Sequence, residues 1–290
     1  MADFTHIKVS PISPLIGAEI SGIDLSVPLD SEVIADIQRA LLTYLVIFFR
    51  DQSLEPEQLK TAATQFGRPV PYPFVDGIEG FPEIIEVLKL PGEQENFGGV
   101  WHSDTAYLQS PSMGAMLYAK EVPPAGGDTL FSNMYVAYEQ LSPGLQKFLS
   151  GLSAINDADK IDIAQTRVNR IASPANPLSQ KNLKAIHPVV RTHPETNRKL
   201  LYINRAHTTR FKGMNQAESA GLLNYLFAIQ SRPEYCCRFR WQQGSLAFWD
   251  NRACLHYPLN DYPGQRRLMH RISLAGDKPS QVRHHLFPGD

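Results

Sequence analysis

The sequence predicts a mainly β fold, either a sandwich or a jelly roll, with helices packed against it. Several short apolar runs follow one another in the second half of the chain, separated by turn residues, and helical patterns are few there. A parallel, doubly wound sheet would need strands that alternate regularly with helices. With 290 residues, of which 43% are apolar and 20% charged, the chain can bury a substantial core.

The first half of the chain contains most of the predicted helices. Apolar residues recur at helical spacing from Ser31, an N-cap candidate, to Leu45, and a short buried strand then runs to Phe49. Pro56 begins a second helix that ends before Gly67. Further elements are predicted at Glu83–Leu90 and Met113–Val122, as strands, and at Tyr135–Leu152, as one or two helices.

The second half is predicted to be largely β. Pro194–Arg198 separates two apolar runs and is typical of a hairpin turn. Asn215 and Glu218 match the capping-box pattern, so a helix is predicted to begin there. The predicted strands are His187–His193, Lys199–Asn204, Cys236–Trp241, Ser245–Trp249, Ala253–Tyr257 and Arg266–Leu274.

Residues 157–185 differ from the rest of the chain. They are polar, interrupted by Pro174 and Pro177, and show no clear period. Such a long irregular segment in a compact domain is either a lid over a site or a disordered loop, and the pattern alone does not decide between these interpretations.

Composition argues against several classes of protein. The formal net charge is −1 and no basic block is present, so a nucleic acid is not an expected partner. The longest nearly apolar run, Ala40–Phe49, is about half of the roughly 20 residues that a membrane-spanning helix needs. The N-terminal residues lack the order of a secretory signal. Cys236, Cys237 and Cys254 form no CxxC pair, which favours free thiols in a reducing cytoplasm.

Three side chains suggest a metal centre. His102 and Asp104 are two residues apart, so in an extended backbone they project from the same face. His256 lies far downstream, at the end of a predicted strand. Two imidazoles and one carboxylate on one side of a metal form a facial triad that suits non-haem Fe(II). Among the nine histidines, several others are expected to be structural: His187, His193, His207 and His270.

Arg267 and Arg271 suggest an anion site beside that centre. They are four residues apart on a predicted strand, so both guanidinium groups lie on the same face. Fe(II) with one bound carboxylate keeps a positive charge and therefore favours an anionic chelator. A dicarboxylate needs a second anchor, which an inward arginine provides through a bidentate ion pair. A solvent-facing basic strand is the alternative interpretation of the same pattern.

The sequence resembles the taurine dioxygenase / 2,4-dichlorophenoxyacetate dioxygenase family along nearly its whole length. The agreement between separated motifs is more specific than any one of them. The segments that carry the resemblance are Ile16–Ile20, Trp101–Asp104, Gly126–Thr129, His187–Val190, Trp249–Arg252 followed by His256, and Gln265–Arg271.

This resemblance implies a double-stranded β-helix fold, that is, a jelly roll. It implies Fe(II) bound by His102, Asp104 and His256, and 2-oxoglutarate whose distal carboxylate contacts Arg267 and Thr129. Such enzymes use O₂ to convert 2-oxoglutarate to succinate and CO₂ while they hydroxylate a C–H bond. Related halogenases lack the carboxylate ligand, so Asp104 favours hydroxylation.

The resemblance also bears on the substrate. Arg271 stands where family members bind an anionic substrate group. Taurine oxygenases carry a histidine where this chain has Tyr72, and an asparagine where it has Gly98. Both differences favour a larger or less polar anion than taurine: an alkyl sulfate, an aryloxyalkanoate or a longer sulfonate.

The same resemblance implies a single domain over residues 1–290, with residues 157–185 as a lid over the site. It also suggests a homodimer or homotetramer. Two other functions remain open from the residues. A zinc metallohydrolase could use the same three ligands, although no general base can be assigned. A non-catalytic module that binds 2-oxoglutarate could keep the fold without turnover.

Overall fold

Short strands dominate the protein, as its sequence predicts. The computed structural model describes residues 4–160 and 183–281. The strands in this part of the chain are β1 (Lys8–Pro11), β2 (Ala18–Ser21), β3 (Val46–Phe49), β4 (Pro69–Val70), β5 (Ile84–Lys89), β6 (Gly114–Glu121), β7 (Thr129–Asn133), β8 (Ser153–Asp157), β9 (Lys184–Pro188), β10 (Val190–Thr192), β11 (Lys199–Leu201), β12 (Thr208–Phe211), β13 (Cys236–Phe239), β14 (Leu246–Asp250), β15 (Cys254–Pro258) and β16 (Arg267–Leu274).

The helices are fewer and flank the sheets. Helix α5 (Gln216–Gln230) has the predicted capping box, since Asn215 accepts a bond from the Glu218 amide and the Glu218 side chain accepts one from the Asn215 amide. Asp30, not Ser31, is the N-cap of helix α1 (Ser31–Tyr44), because Ser31 already has helical geometry. No described helix has both the length and the apolar character needed to cross a bilayer. The α-helices are α1 (Ser31–Tyr44), α2 (Pro56–Thr64), α3 (Met134–Glu139), α4 (Pro143–Leu149) and α5 (Gln216–Gln230).

Two sheets pack face to face and form the predicted jelly roll. The larger sheet has the order β1-β2-β3-β14-β6-β16-β4, with β5 also paired to β16, and the smaller has the order β13-β7-β15. Aromatic side chains fill the space between them. Phe48 of the larger sheet stacks on Phe239 of the smaller at 3.9 Å between ring centroids, and Phe131 lies 5.9 Å from Trp249.

Helices α1 and α2 cover the outer face of the larger sheet. Ile37 and Leu59 are fully buried there against Ile47 and Ile272. Strand β16 therefore contributes to two layers, because Ile272 faces these helices while Met269 belongs to the core between the sheets. The predicted mainly β architecture with flanking helices is confirmed.

The predicted strand His187–His193 is wrong in its extent. Val190–Thr192 does pair with Lys199–Leu201 in a hairpin, as expected. His187 and Pro188, however, belong to a different strand, Lys184–Pro188, which pairs with Ser153–Asp157 in a separate sheet. Each residue from Lys184 to Pro188 pairs with a residue of Ser153–Asp157, so this segment forms a strand separate from Val190–Thr192.

Most of the predicted lid, residues 157–185, lies outside the described residues. Its two ends are strands rather than irregular chain, because Asp157 pairs with Lys184 and Asn156 with Ala185. A single turn of 3₁₀ helix, Ala158–Lys160, follows the first of these strands.

Candidate active site

The three predicted metal ligands converge. His256 lies on β15, and its backbone forms both hydrogen bonds of an antiparallel bridge with His102, at 2.8 and 3.0 Å. A turn after His102 brings Asp104 beside the two rings, so the pair lies at a bridge and a turn rather than in a continuous strand. Potential ligand atoms of the three side chains all lie within 4.8 Å of one another, and all three residues are buried.

The donor atoms lie close enough together to bind one divalent metal. His102 Nδ1 lies 2.7 Å from the carbonyl oxygen of Val100. Because a carbonyl only accepts, Nδ1 carries the proton and Nε2 keeps its lone pair. Asp104 Oδ1 lies 3.8 Å from His102 Nε2 and 3.9 Å from His256 Nε2. Two nitrogen donors and one carboxylate oxygen therefore surround one point, as in a facial triad.

Asn251 holds the carboxylate of this cluster in place. Its side-chain oxygen accepts hydrogen bonds from the Asp104 amide (3.1 Å) and from Trp249 Nε1 (2.9 Å). Its amide nitrogen donates to Asp104 Oδ2 at 3.2 Å. Because Oδ2 is occupied, Oδ1 is the oxygen left facing the imidazoles. The sequence motif contained Asn251 but did not indicate this role.

Burial and charge together set the ionisation of the cluster. Burial alone would raise the pKa of Asp104, but Arg271 and the two imidazoles favour its charged form, and the pKa is lowered to about 2. Burial lowers the pKa of His102, and it lowers that of His256 well below the usual value. At neutral pH the cluster is therefore one carboxylate with two neutral imidazoles, the protonation state that binds a metal.

Arg271 connects this cluster to the surrounding cavities. Its Nη1 donates to Asp104 Oδ1 at 3.0 Å, and its guanidinium lies 4.5 Å from the ring centroid of Tyr72 and 5.4 Å from that of Phe97. Burial disfavours the charged form, yet Asp104 raises the pKa of Arg271. The side chain is thus a buried, fixed cation, as its predicted inward orientation requires.

Arg267 and Thr129 line a cavity beside the cluster, together with His102, His256 and Arg271. Arg267 is 5% exposed, and its Nε and Nη2 have no hydrogen-bond partner among the described residues. Thr129 Oγ1 accepts from Trp241 Nε1 at 2.9 Å, which leaves its own hydrogen available to donate. A buried guanidinium beside a free hydroxyl donor needs an anion, because an unpaired buried charge is costly.

A second cavity adjoins the first and shares the side chains of Asn96, Phe97, His102 and Arg271 with it. Tyr72 and Arg271 line it, as predicted, and Asp104 reaches it as well. His207 also lines it, although the sequence suggested only a structural role for that residue. The His207 ring packs edge-on against Tyr107 with centroids 4.9 Å apart, and its Nδ1 has no partner among the described residues.

Gly98 sits against the His102 ring and lines this second cavity. Its φ of +72° is one that residues with a side chain rarely adopt, and a Cβ there would lie 2.7 Å from His102 Cε1. The asparagine that the resemblance to taurine oxygenases suggests for this position could not be placed here without moving His102. The absence of a side chain therefore positions His102 and enlarges the cavity.

Gly98→Ala should accordingly weaken divalent-metal binding by about tenfold, because the new methyl group pushes His102 out of line. Calorimetric titration with Mn²⁺ measures this. Gly80→Ala is the matched control, since Gly80 has a similar φ of +78° but a Cβ there meets nothing within 4 Å, and its metal affinity should stay at the wild-type value. Equal affinities for the two variants would contradict the argument.

Comparisons with known proteins agree with this geometry. The model of the Taurine catabolism dioxygenase TauD, TfdA family matches residues 8–273. An alkylsulfatase from Acinetobacter baylyi is 35% identical, covering 94% of this chain and 86% of that protein. An alpha-ketoglutarate-dependent sulfate ester dioxygenase from Pseudomonas putida is 34% identical, covering 96% and 92%. The crystal structure of a putative alpha-ketoglutarate-dependent taurine dioxygenase from Burkholderia xenovorans superposes with a TM-score of 0.79, at 37% identity, and covers 94% of each chain.

Proposed function

This chain belongs to the TauD/TfdA family of taurine catabolism dioxygenases, and from that membership we propose that it oxidises an alkyl sulfate ester. It is a non-haem iron dioxygenase that uses Fe(II), 2-oxoglutarate and O₂. The observation that carries the substrate proposal is a pair of adjoining cavities beside the His–Asp–His cluster. Arg271 lines both cavities and Arg267 lines one of them, so two buried arginines are available to two anions.

The metal ligands in this proposal are His102, Asp104 and His256. Their support is the convergence of three donor atoms, the tautomer that Val100 imposes on His102, and the carboxylate orientation that Asn251 imposes on Asp104. Bound Fe(II) supplies the activation of O₂ that oxidises 2-oxoglutarate to succinate and CO₂ and a substrate C–H bond to C–OH.

The proposed site for 2-oxoglutarate is the cavity that contains Arg267 and Thr129. The two carboxylates of this co-substrate lie at opposite ends of the molecule, so one end can reach the metal while the other reaches these residues. Arg267 offers two unpartnered nitrogen atoms and Thr129 one free hydroxyl hydrogen. Burial strengthens this charge-assisted pairing, since no water competes for the carboxylate.

The substrate anion is proposed to bind in the second cavity, where Arg271 and Tyr72 lie. Apolar and aromatic groups, among them Phe97 and Val100, line the same cavity and suit an alkyl chain. Gly98 leaves room for it, whereas a polar side chain there would favour a smaller, more polar substrate. The two sulfate-ester relatives support this class of substrate over taurine.

The proposed reaction begins at the carbon that carries the ester oxygen. Oxidation replaces one of its C–H bonds by C–OH. The bond between this carbon and the sulfate oxygen then breaks, and sulfate leaves with the bonding electron pair. The new hydroxyl loses its proton as an aldehyde forms. The products are therefore an aldehyde, inorganic sulfate, succinate and CO₂.

A substrate panel tests this proposal. With Fe(II), ascorbate, 2-oxoglutarate and air, hexyl sulfate should give sulfate and succinate in equal amounts, with a catalytic efficiency at least about tenfold above that for taurine, a difference of some 1.4 kcal/mol in transition-state binding. The panel also contains 2,4-dichlorophenoxyacetate, which an aryloxyalkanoate dioxygenase would oxidise faster than hexyl sulfate. Faster succinate formation with either competitor, or sulfate release without 2-oxoglutarate, would overturn the assignment.

The sequence left a zinc metallohydrolase and a binding module open, and neither is favoured. A hydrolase does not need two buried arginines beside the metal cluster. A module that only binds 2-oxoglutarate does not need the second cavity. Both alternatives predict no succinate, so the same panel excludes them.

The organisation of the protein is proposed as a single domain over residues 1–290, in the cytoplasm, as a homodimer or homotetramer. The single domain is supported by the family match over residues 8–273, and the cytoplasm by three unpaired cysteines. Light scattering coupled to gel filtration measures the mass against the 32.5 kDa of one chain. A measured mass equal to that of one chain would contradict the proposed homodimer or homotetramer.

A further inference from the structure

Arg271 contacts the one carboxylate oxygen that a metal would need. Its Nη1 donates to Asp104 Oδ1 at 3.0 Å, and this is also the oxygen 3.8 and 3.9 Å from the two imidazole nitrogens. Asn251 occupies the other oxygen, Oδ2. A guanidinium and a divalent metal would therefore share Oδ1.

The rest of the guanidinium is available to a second anion. Its Nε and Nη2 have no hydrogen-bond partner among the described residues, and both are buried. Tyr72 and Phe97 pack against the group from the cavity side and limit its movement. The planar fork of arginine can thus keep one nitrogen on Asp104 while the others bind an anion in the second cavity.

Two cations on one carboxylate oxygen oppose each other. The positive charge of Arg271 repels a divalent metal at the cluster and reduces the charge that Asp104 offers to it. An anion paired with Arg271 would offset that charge without removing the residue. Burial makes the effect strong, since Asp104 and Arg271 are each only 4% exposed.

We propose that Arg271 couples metal binding to substrate binding. A bound substrate anion raises the affinity of the cluster for the metal, and a bound metal raises the affinity for the anion. The inference rests on the proposed metal ligands and substrate cavity. Linkage requires the two effects to be equal in size. The enzyme would thus hold its metal most firmly when the substrate is present, which links assembly of the reactive centre to substrate occupancy.

Calorimetric titration of the protein with Mn²⁺, without 2-oxoglutarate and at fixed ionic strength, tests the coupling. Hexyl sulfate at saturation should lower the Kd for Mn²⁺ by at least about fivefold, the lower end of known coupling factors. Hexanol, which has the same chain without the charge, should leave the Kd unchanged. Saturating Mn²⁺ should lower the Kd for hexyl sulfate by the same factor.

Arg271→Gln identifies the residue responsible. This variant should bind Mn²⁺ more tightly than the wild type when no anion is present, and hexyl sulfate should no longer change the Kd. Arg266→Lys is the control, because Arg266 is partly exposed and paired with Glu121, so this variant should keep the coupling. If circular dichroism shows Arg271→Gln to be unfolded, Arg271→Lys is measured in its place. One ammonium group cannot contact both Asp104 and the substrate anion, so the ratio of the Mn²⁺ Kd values without and with hexyl sulfate should fall toward one.

The outcomes separate this inference from the proposed function. An undiminished effect of hexyl sulfate in the arginine variant would overturn the inference, as would no effect in the wild type, while leaving the metal site intact. Failure of the proposed metal site appears differently: His102→Ala would then bind Mn²⁺ as the wild type does.

Discussion

Replacing Asp104 with alanine should abolish succinate formation and weaken divalent-metal binding by more than about a hundredfold. Asp104 is the one carboxylate of the cluster, and its loss leaves two neutral imidazoles near a buried arginine. Even removal of a group that only orients a ligand costs about 10- to 100-fold in metal affinity, so removal of the ligand itself should cost more. Mn²⁺ calorimetry and a succinate assay measure the two losses.

The same substitution should also destabilise the protein. Arg271 would keep its charge in a buried position without its carboxylate partner, and breaking a buried pair in this way costs about 3–5 kcal/mol. The free energy of unfolding in urea measures this. Adding Arg271→Met should restore most of the stability and remove the charge that repels the metal, but metal affinity should stay far below that of the wild type because the carboxylate is still missing. A double variant with the metal affinity of the wild type would show that Asp104 is not a ligand.

The shared face of the two arginines and the closeness of His102 to Asp104 could be predicted because both patterns are local. Arg267 and Arg271 are four residues apart on one strand, whereas His102 and Asp104 are kept close by a bridge and a turn rather than by the extended backbone that the sequence suggested. A short backbone segment fixes the relative direction of such side chains almost independently of the rest of the fold. His256 joins the pair as the second imidazole of a facial triad at the end of a predicted strand, and the family resemblance implies the same three residues.

Other parts of the site depend on contacts between distant segments. Asn251 reaches Asp104 across 147 residues, and Trp241 reaches Thr129 across 112. His207 appears in the cavity wall because the strand that follows it pairs with Ser153–Asp157. No local sequence period predicts these contacts, because they depend on how the sheets pack.

Strands β1, β2 and β7 were not predicted from the sequence, for a similar reason. The smaller sheet is built around β7, which lies between β13 and β15, yet its sequence, Thr-Leu-Phe-Ser-Asn, is too mixed to stand out as a strand. The opening strands β1 and β2 are four residues each and partly exposed. Pairing partners rather than intrinsic preference make these segments strands.

Arg267→Lys should weaken 2-oxoglutarate binding by roughly 10- to 150-fold while leaving metal affinity unchanged. The planar guanidinium that can donate two parallel bonds to a carboxylate is replaced by a single point charge. Loss of a charge-assisted pair in a buried site costs about 1.5–3 kcal/mol, which corresponds to that range. Titration of the Fe(II)-loaded protein under anaerobic conditions, followed by the visible absorption band of the 2-oxoglutarate complex, gives the Kd.

Two comparisons make this result specific. Arg266→Lys is the matched control, because its side chain is adjacent on the chain but partly exposed and paired with Glu121, so 2-oxoglutarate should bind as to the wild type. Pyruvate has the oxo-acid group without the distal carboxylate, so Arg267→Lys should barely change its affinity. If the substitution weakened both ligands equally, Arg267 would act on the cavity as a whole. If it weakened neither, the carboxylate would bind elsewhere, and the buried guanidinium would need another anion.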